Sequence, residues 1–368
     1  MNKETQKKWA EKAVNVVNKV FPEPDFDNWE GCERLLLSTL ECAESINRYA
    51  LESEESGRLL DQTGYYLYHK SDYAKGLRLV QQALAIRTKI LGIEHPNTAT
   101  SLSNFAGLLY RIKGCPAKVL PLHQLALEIR ERILGTEHPN TVRSLSNVAR
   151  MYQAQGDSTK ALFLYPIILS IRKTILGKRR RDTAISFENL AGLYLAQGNY
   201  RRALILFKQA LAINKKVLKE EHPDIARNFN NIGGILQSQD KDVEAQPFFE
   251  KALAINKKVL GEKHPDTLTT VNNLALTLQA QGNYEKALCL SQKVLKIRTQ
   301  IFGSEHPDTA KSLNNLGEMY KKQGDFERAL PLLNEALSIL TQVFGKKHPL
   351  TKKVENNYLD VMKNTSSG

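Results

Sequence analysis

The dipeptide His-Pro recurs as His95-Pro96, His138-Pro139, His222-Pro223, His264-Pro265, His306-Pro307 and His348-Pro349, at intervals of 43, 84, 42, 42 and 42 residues. The interval of 84 is one missed beat: where His-Pro should fall, the chain reads Gly177-Lys178-Arg179-Arg180-Arg181-Asp182, so the frame continues. A fixed period of about 20 to 50 residues marks a solenoid, in which each unit buries its apolar face against its neighbours instead of closing one globular core. One frame running through most of 368 residues outweighs the two or three domains that length alone suggests.

A single repeat, Asp182 to Glu221, shows the internal grammar. A helical stretch through Asn189-Leu190-Ala191-Gly192-Leu193-Tyr194 breaks at Gly198-Asn199, and Tyr200-x-x-Ala203-Leu204 with Ala210-Leu211-x-Ile213 opens a second one. Apolar positions recur every three and four residues in both halves, so two amphipathic helices alternate. Pro falls where a first helical turn can use its missing N–H. The small residue early in the second helix is Gly76, Ala161, Ala203, Ala245, Ala287 or Ala329. Four residues on stands Val80, Tyr165, Phe207, Phe249, Ser291 or Leu333, read as a knob facing the hole that the small residue opens.

Composition narrows the partners. No apolar run approaches the roughly 18 residues that cross a bilayer, and Met1 to Trp9 lacks a signal-type apolar core. The expectation is a cytoplasmic protein without membrane insertion. Cys32, Cys42, Cys115 and Cys289 form no CxxC pair, which fits free thiols in a reducing compartment. The net charge of +13 favours acidic partners through long-range steering. Lysine and arginine are spread over the repeats, with short runs at Lys178 to Arg181 and at Lys346, Lys347, Lys352 and Lys353. Aromatic stacking positions are not interleaved with them, so nucleic acid is the weaker reading.

The run Asn-Leu-Ala-x-Leu-Tyr, then Gln-Gly-x-Tyr, then Ala-Leu resembles the tetratricopeptide repeat. The 42-residue period and the junction Leu260-Gly261-Glu262-Lys263-His264-Pro265-Asp266-Thr267 are similar to its longer kinesin-light-chain type. The resemblance covers residues 56 to 362 and implies an all-α, right-handed superhelical solenoid of antiparallel helix hairpins. It divides the chain into a helical cap (1–55), seven repeats (56–349), a capping helix (350–363) and a disordered tail (364–368). The cap reads as helices near Gln6 to Val20 and Trp29 to Leu51, with Trp9 and Trp29 sealing the first hairpin. Its Val20-Phe21-Pro22 and Trp29-Glu30-x-Cys32-Glu33-Arg34-Leu35-Leu36 also resemble the stretch leading into the repeats of bacterial NB-ARC (STAND) signalling ATPases, which implies a sensor arm. No G-x-x-x-x-G-K-[ST] occurs, so no phosphate loop exists here and no cofactor is expected. Nor does a heptad segment precede the repeats, as a kinesin light chain would need. Pro116 and Pro166 are expected to distort the stack.

Nine residues beyond each turn position stands a carboxamide: Asn104, Asn147, Asn189, Asn231, Asn273, Asn315 and Asn357, with Gln62 in the first repeat. Asn in a helix interior costs up to about 0.7 kcal/mol relative to Ala, so its recurrence implies a compensating interaction. The family resemblance places this position on the concave face and implies clamps for the main chain of a bound peptide. A primary amide donates and accepts, which suits a peptide N–H or C=O. A ladder bridging neighbouring first helices would use the same chemistry, and both readings stand. Neighbours on that helical face, Arg58, Arg143, Arg227, Lys311 and Lys353 four residues before and Tyr65, Arg150, Leu276 and Glu318 three after, tilt the face basic, although Asp61 and Glu188 interrupt it.

Six of the eight histidines belong to the turn motif and lie a repeat apart, too far to share a metal ion. With no HExxH, G-x-S-x-G or Cys-His pairing, no catalytic residue is expected. The sequence therefore predicts a non-enzymatic scaffold or adaptor that binds an extended, acidic protein segment, with oligomeric state open. The alternatives are the sensor arm of a signalling ATPase and an RNA-binding basic solenoid.

Overall fold

The His-Pro junction starts helices by local hydrogen bonding. In the computed structural model, which describes residues 2–175 and 181–365, proline is the first helical residue and histidine the cap. Nδ1 of His95, His138, His222, His264, His306 and His348 accepts from the backbone N–H two residues on, at 3.0 to 3.2 Å. At every one of these junctions except that of His222, where Lys219 stands, a glycine before the histidine stops the previous helix. Gly303, for example, has φ +89°, a conformation that only glycine adopts without strain, and its carbonyl accepts from Thr309 Oγ1 at 2.8 Å. Thr98 on Gly92 and Thr267 on Gly261 repeat that bond at 2.8 Å.

The described residues form seventeen α-helices, one 3₁₀ turn and no strand. They are α1 (Lys3–Val20), α2 (Trp29–Tyr49), α3 (Glu54–His69), α4 (Tyr73–Leu91), α5 (Pro96–Lys113), α6 (Pro116–Leu134), α7 (Pro139–Ala154), α8 (Ser158–Ile175), α9 (Arg181–Ala196), α10 (Tyr200–Val217), α11 (Pro223–Gln237), α12 (Asp242–Val259), α13 (Pro265–Ala280), α14 (Tyr284–Phe302), α15 (Pro307–Lys322), α16 (Phe326–Phe344) and α17 (Pro349–Thr365). None is long and apolar enough to cross a membrane. Residues 178–180 of the basic run, and 366–368 of the predicted tail, lie outside the described residues. Helix α17 runs two residues past its predicted end at 363, with Asn364 Nδ2 donating to the Asp360 carbonyl at 2.7 Å.

The chain divides into two compact units, residues 1–113 with 117–148 and residues 114–116 with 149–368. In the first, α1 and α2 close onto α3 and α4 through Val14, Phe21, Cys32, Ile46, Leu59 and Leu60. Trp29 packs against that core, but Trp9 is 60% exposed and does not seal it. The face of α1 that turns inward is Ala10, Val14, Val17 and Phe21, and Trp9 falls outside that stripe. Pro116 takes the first helical position of α6, where its missing N–H costs no bond, and α8 stays one helix through Pro166.

In the second unit the hairpins α9/α10, α11/α12, α13/α14 and α15/α16 stack through successive apolar clusters. The predicted knobs are buried, but their hole is on the opposite helix. A Cβ on Gly233 would lie 2.8 Å from Phe249, and one on Gly317 would lie 2.8 Å from Leu333. Ala191 and Ala275 hold the same register, fully buried. The small residue two positions after every carboxamide but Asn357 thus admits the second helix, whereas the early residue of that helix sets the backbone crossing.

Candidate functional site

Between repeats runs a set of buried polar staples that sequence reasoning missed. Arg87, Arg130, Arg172, Asn214, Asn256 and Arg298 each donate to a side chain fourteen residues on: Ser101, Ser144, Ser186, Asn228, Thr270 and Ser312, at 2.6 to 3.2 Å. The arginines also donate to the carbonyls of Asn97, Asn140, Asp182 and Asp308 at 3.0 to 3.3 Å. Each second helix is thereby pinned to the first turn of the next repeat. Burial, with Arg143 nearby, lowers the Arg130 guanidinium to about 10, so it remains charged at neutral pH. The signal was present in the sequence as a second series with the His-Pro period.

The eight predicted carboxamides all lie half-buried on first helices. Four of them bond backwards to the preceding first helix in one register, 43 residues earlier. Asn104 Nδ2 donates to Asp61 at 3.1 Å, Asn273 to Asn230 at 3.1 Å, Asn315 to Asn272 at 3.0 Å and Asn357 to Asn314 at 2.9 Å. At these positions the ladder that bridges helices is real. Asn147 is also engaged. Gln62 buries its Oε1 without a partner, whereas Asn189 and Asn231 make no hydrogen bond to any described residue.

Several predicted basic residues are already neutralised. Arg227 contacts Glu188 at 2.8 Å and Asp224 at 2.7 Å, and Lys311 contacts Asp308 at 2.9 Å. Lys353 lies 3.9 Å from Glu318, whereas Arg58 keeps its charge and donates to the carbonyl of Asn18 at 2.7 Å. Burial opposes ionisation of Asp224, but Arg227 and Arg181 outweigh it and hold the carboxyl well below the usual range. At Asp61 burial prevails over Arg87 and raises the carboxyl. Arg143 and Arg150 are exposed, Arg143 without an ion pair among the described residues. The face is therefore less basic than its sequence suggests.

Gly107, Gly192 and Gly234 stand three residues after Asn104, Asn189 and Asn231, inside helices where glycine costs about 1 kcal/mol relative to alanine. A Cβ on Gly107 or Gly234 would meet nothing within 4 Å, and one on Gly192 only Gln153 Nε2 at 3.6 Å. Packing does not require these three. No group of three or more His, Cys, Asp or Glu among the described residues could hold a metal ion.

Tetratricopeptide-repeat profiles match residues 57–117, 107–165, 224–300, 271–342 and 308–362, and a second such profile matches 183–224. The chain belongs to the tetratricopeptide-repeat family. No curated protein matches it. Among solved structures, a Podospora anserina putative kinesin light chain with nearly identical TPR-like repeats is 28% identical, covering 56% of this chain and 97% of its own (TM-score 0.43). BtubC (BKLC) from P. vanneervenii is 26% identical, covering 64% and 94% (TM-score 0.47). The Rap conjugation gene regulator of plasmid pLS20, in complex with the Phr* peptide, is 14% identical over 92% of this chain and 96% of its own, with a TM-score of 0.64. That likeness shows a shared fold. In this tetratricopeptide-repeat chain the asparagines occupy one register of the first helices, and the staples lie between repeats.

Proposed function

We propose that this protein is a binding scaffold that captures an extended, acidic peptide segment along the carboxamide-bearing face of its first helices, with α1–α2 and α17 bracketing the repeats. The observation that carries the proposal is the shared register of half-buried carboxamides, of which Asn189 and Asn231 bond to no described residue, since a primary amide can satisfy a peptide main chain without reading its side chains. Family membership supports a protein-interaction role, and the Rap regulator of like fold is a peptide complex by its own description. The acidic preference rests on the net charge of +13 and on exposed Arg143 and Arg150. Four free thiols suit a reducing compartment such as the cytoplasm.

Each amide contributes only about 1 kcal/mol net, so micromolar binding requires side-chain contacts as well. An array of synthetic peptides of about twelve residues, long enough at about 3.3 Å per residue to pass four hairpins about 10 Å apart, tests the reading. Acidic members should be retained in preference to neutral and basic ones, with weaker retention at high salt. Retention of basic members only, or of none, would overturn it.

A further inference from the structure

A solenoid is closed at its ends by units whose outer face is polar, because nothing stacks on them. The first hairpin of this chain breaks that rule. Of the six large apolar side chains exposed by 56% or more among the described residues, four stand on α1 and α2: Trp9, Val16 and Val20 on the first and Leu37 on the second.

Helix α1 carries two apolar stripes. Ala10, Val14, Val17 and Phe21 turn into the core against α2 and α3. Trp9, Ala13, Val16 and Val20 each stand one residue earlier, about 100° round the helix, and all four are exposed. Folding needs only the first stripe. The second is bordered, on the side away from the core, by Lys12 and Lys19, and Lys12 Nζ lies 5.0 Å from the centre of the Trp9 ring. On α2 the outward stripe reads Glu30, Arg34, Leu37, Glu41, Glu44 and Arg48 at the same four-and-three spacing, all exposed. Glu30, Glu41 and Glu44, like Lys12 and Lys19, make no ion pair among the described residues.

We propose that this hairpin is the contact surface for a second copy of the chain, the apolar stripe of α1 in one copy seating on α2 of the other, around Leu37. The charges choose that pairing. Packing α1 on α1 would set Lys12 and Lys19 against themselves, whereas packing α1 on α2 sets them against Glu41 and Glu44. A two-fold axis running between the two helices makes the contact twice, because each copy offers both surfaces. At 1.5 Å per residue α1 is about 27 Å long, and with helices about 10 Å apart the two faces cover roughly 500 Å² per copy, about 1,000 Å² in all. That area meets the lower bound of a specific interface and fits a weak dimer.

The test is sedimentation equilibrium of the full chain from about 1 to about 500 µM, a range that brackets an interface of this size. The mass should rise from 41.5 kDa to twice that value, with its midpoint at tens of micromolar. Val16→Asp should stay monomeric throughout and keep the wild-type Tm at the lowest concentration, since Val16 lies outside the core. Lys12→Glu with Lys19→Glu, and separately Glu41→Lys with Glu44→Lys, should each weaken association about tenfold, and an equimolar mixture of the two double variants should restore it, because each then meets opposite charge in both halves of the contact. A wild type that remains monomeric at the highest concentration, a Val16→Asp variant that still pairs, or a mixture no better than its components overturns the proposal. So does a mass that climbs past two copies, which would seat α1 on another surface such as α17. Capture of the monomeric wild type, and not of Val16→Asp, by vesicles of anionic phospholipid would overturn it in favour of a lipid surface.

Discussion

Arg298 in α14 and Asn256 in α12 occupy the same register one repeat apart, yet they hold their neighbours with different reach. The guanidinium contacts Ser312, the Asp308 carbonyl and Thr269, whereas the carboxamide donates to Thr270 and leaves its buried Oδ1 without a partner. Asn214 shows the same deficit, and there Glu188 with Arg227 and Arg181 with Asp224 supply links that other junctions do not use. A solenoid's stability is a sum of repeat and neighbour terms, so it need not be uniform. The asparagine-stapled stretch, α10 to α13, is predicted to be the weaker one, and it includes α11, whose Asn231 bonds to no described residue.

The largest expected effect comes from removing the better staple. Arg298→Ala should cost about 3 kcal/mol by denaturant unfolding, since it leaves a cavity and removes the donor shared by Ser312, Thr269 and the Asp308 carbonyl. Asn256→Ala, which gives up one hydrogen bond, should cost about 1 kcal/mol. Equal losses would break the comparison. Next comes the glycine pair in α11: Gly233→Ala should destabilise by about 1 to 2 kcal/mol as Phe249 is displaced, while Gly234→Ala should stabilise by up to about 1 kcal/mol.

The smallest effect concerns acid. Burial outweighs an opposing bond to the Ala154 carbonyl and lowers the folded pKa of His348 below its ordinary value of 6.5. The unfolded chain then binds the proton more readily, so this contribution is complete above that value and lost as pH falls through the folded pKa. Between about pH 7 and pH 5, wild-type Tm should fall by a few degrees more than that of His348→Asn, whose side chain caps without titrating. Parallel curves would remove the histidine from the account.

What could be read from the sequence was what local bonding decides. His-Pro caps, Gly stops and the Thr hydroxyl all close within about seven residues, so their spacing reveals them. The staples escaped because an arginine on an amphipathic helix reads as solvated, and because two of the six had changed to asparagine. Whether an amide is engaged depends on a residue 43 positions earlier, Asn230 for Asn273 but Glu188 in the place facing Asn231. The dipeptides Asn230-Asn231, Asn272-Asn273 and Asn314-Asn315 carry the trace of that dependence. The basic face was overestimated although its neutralising partners, Asp224 and Asp308, stand three residues before Arg227 and Lys311.

The Leu-Gly-x-x-His-Pro-x-Thr junction satisfies its own polar groups, and this makes the array a copyable text. A segment from Gly261 to Phe302 carries its own stop, cap and staple, so pasting it in tandem would present Arg298 with Thr270 and the Asp266 carbonyl in place of Ser312 and Asp308. Length in such a protein can change by whole paragraphs, with no sentence left unfinished at the join.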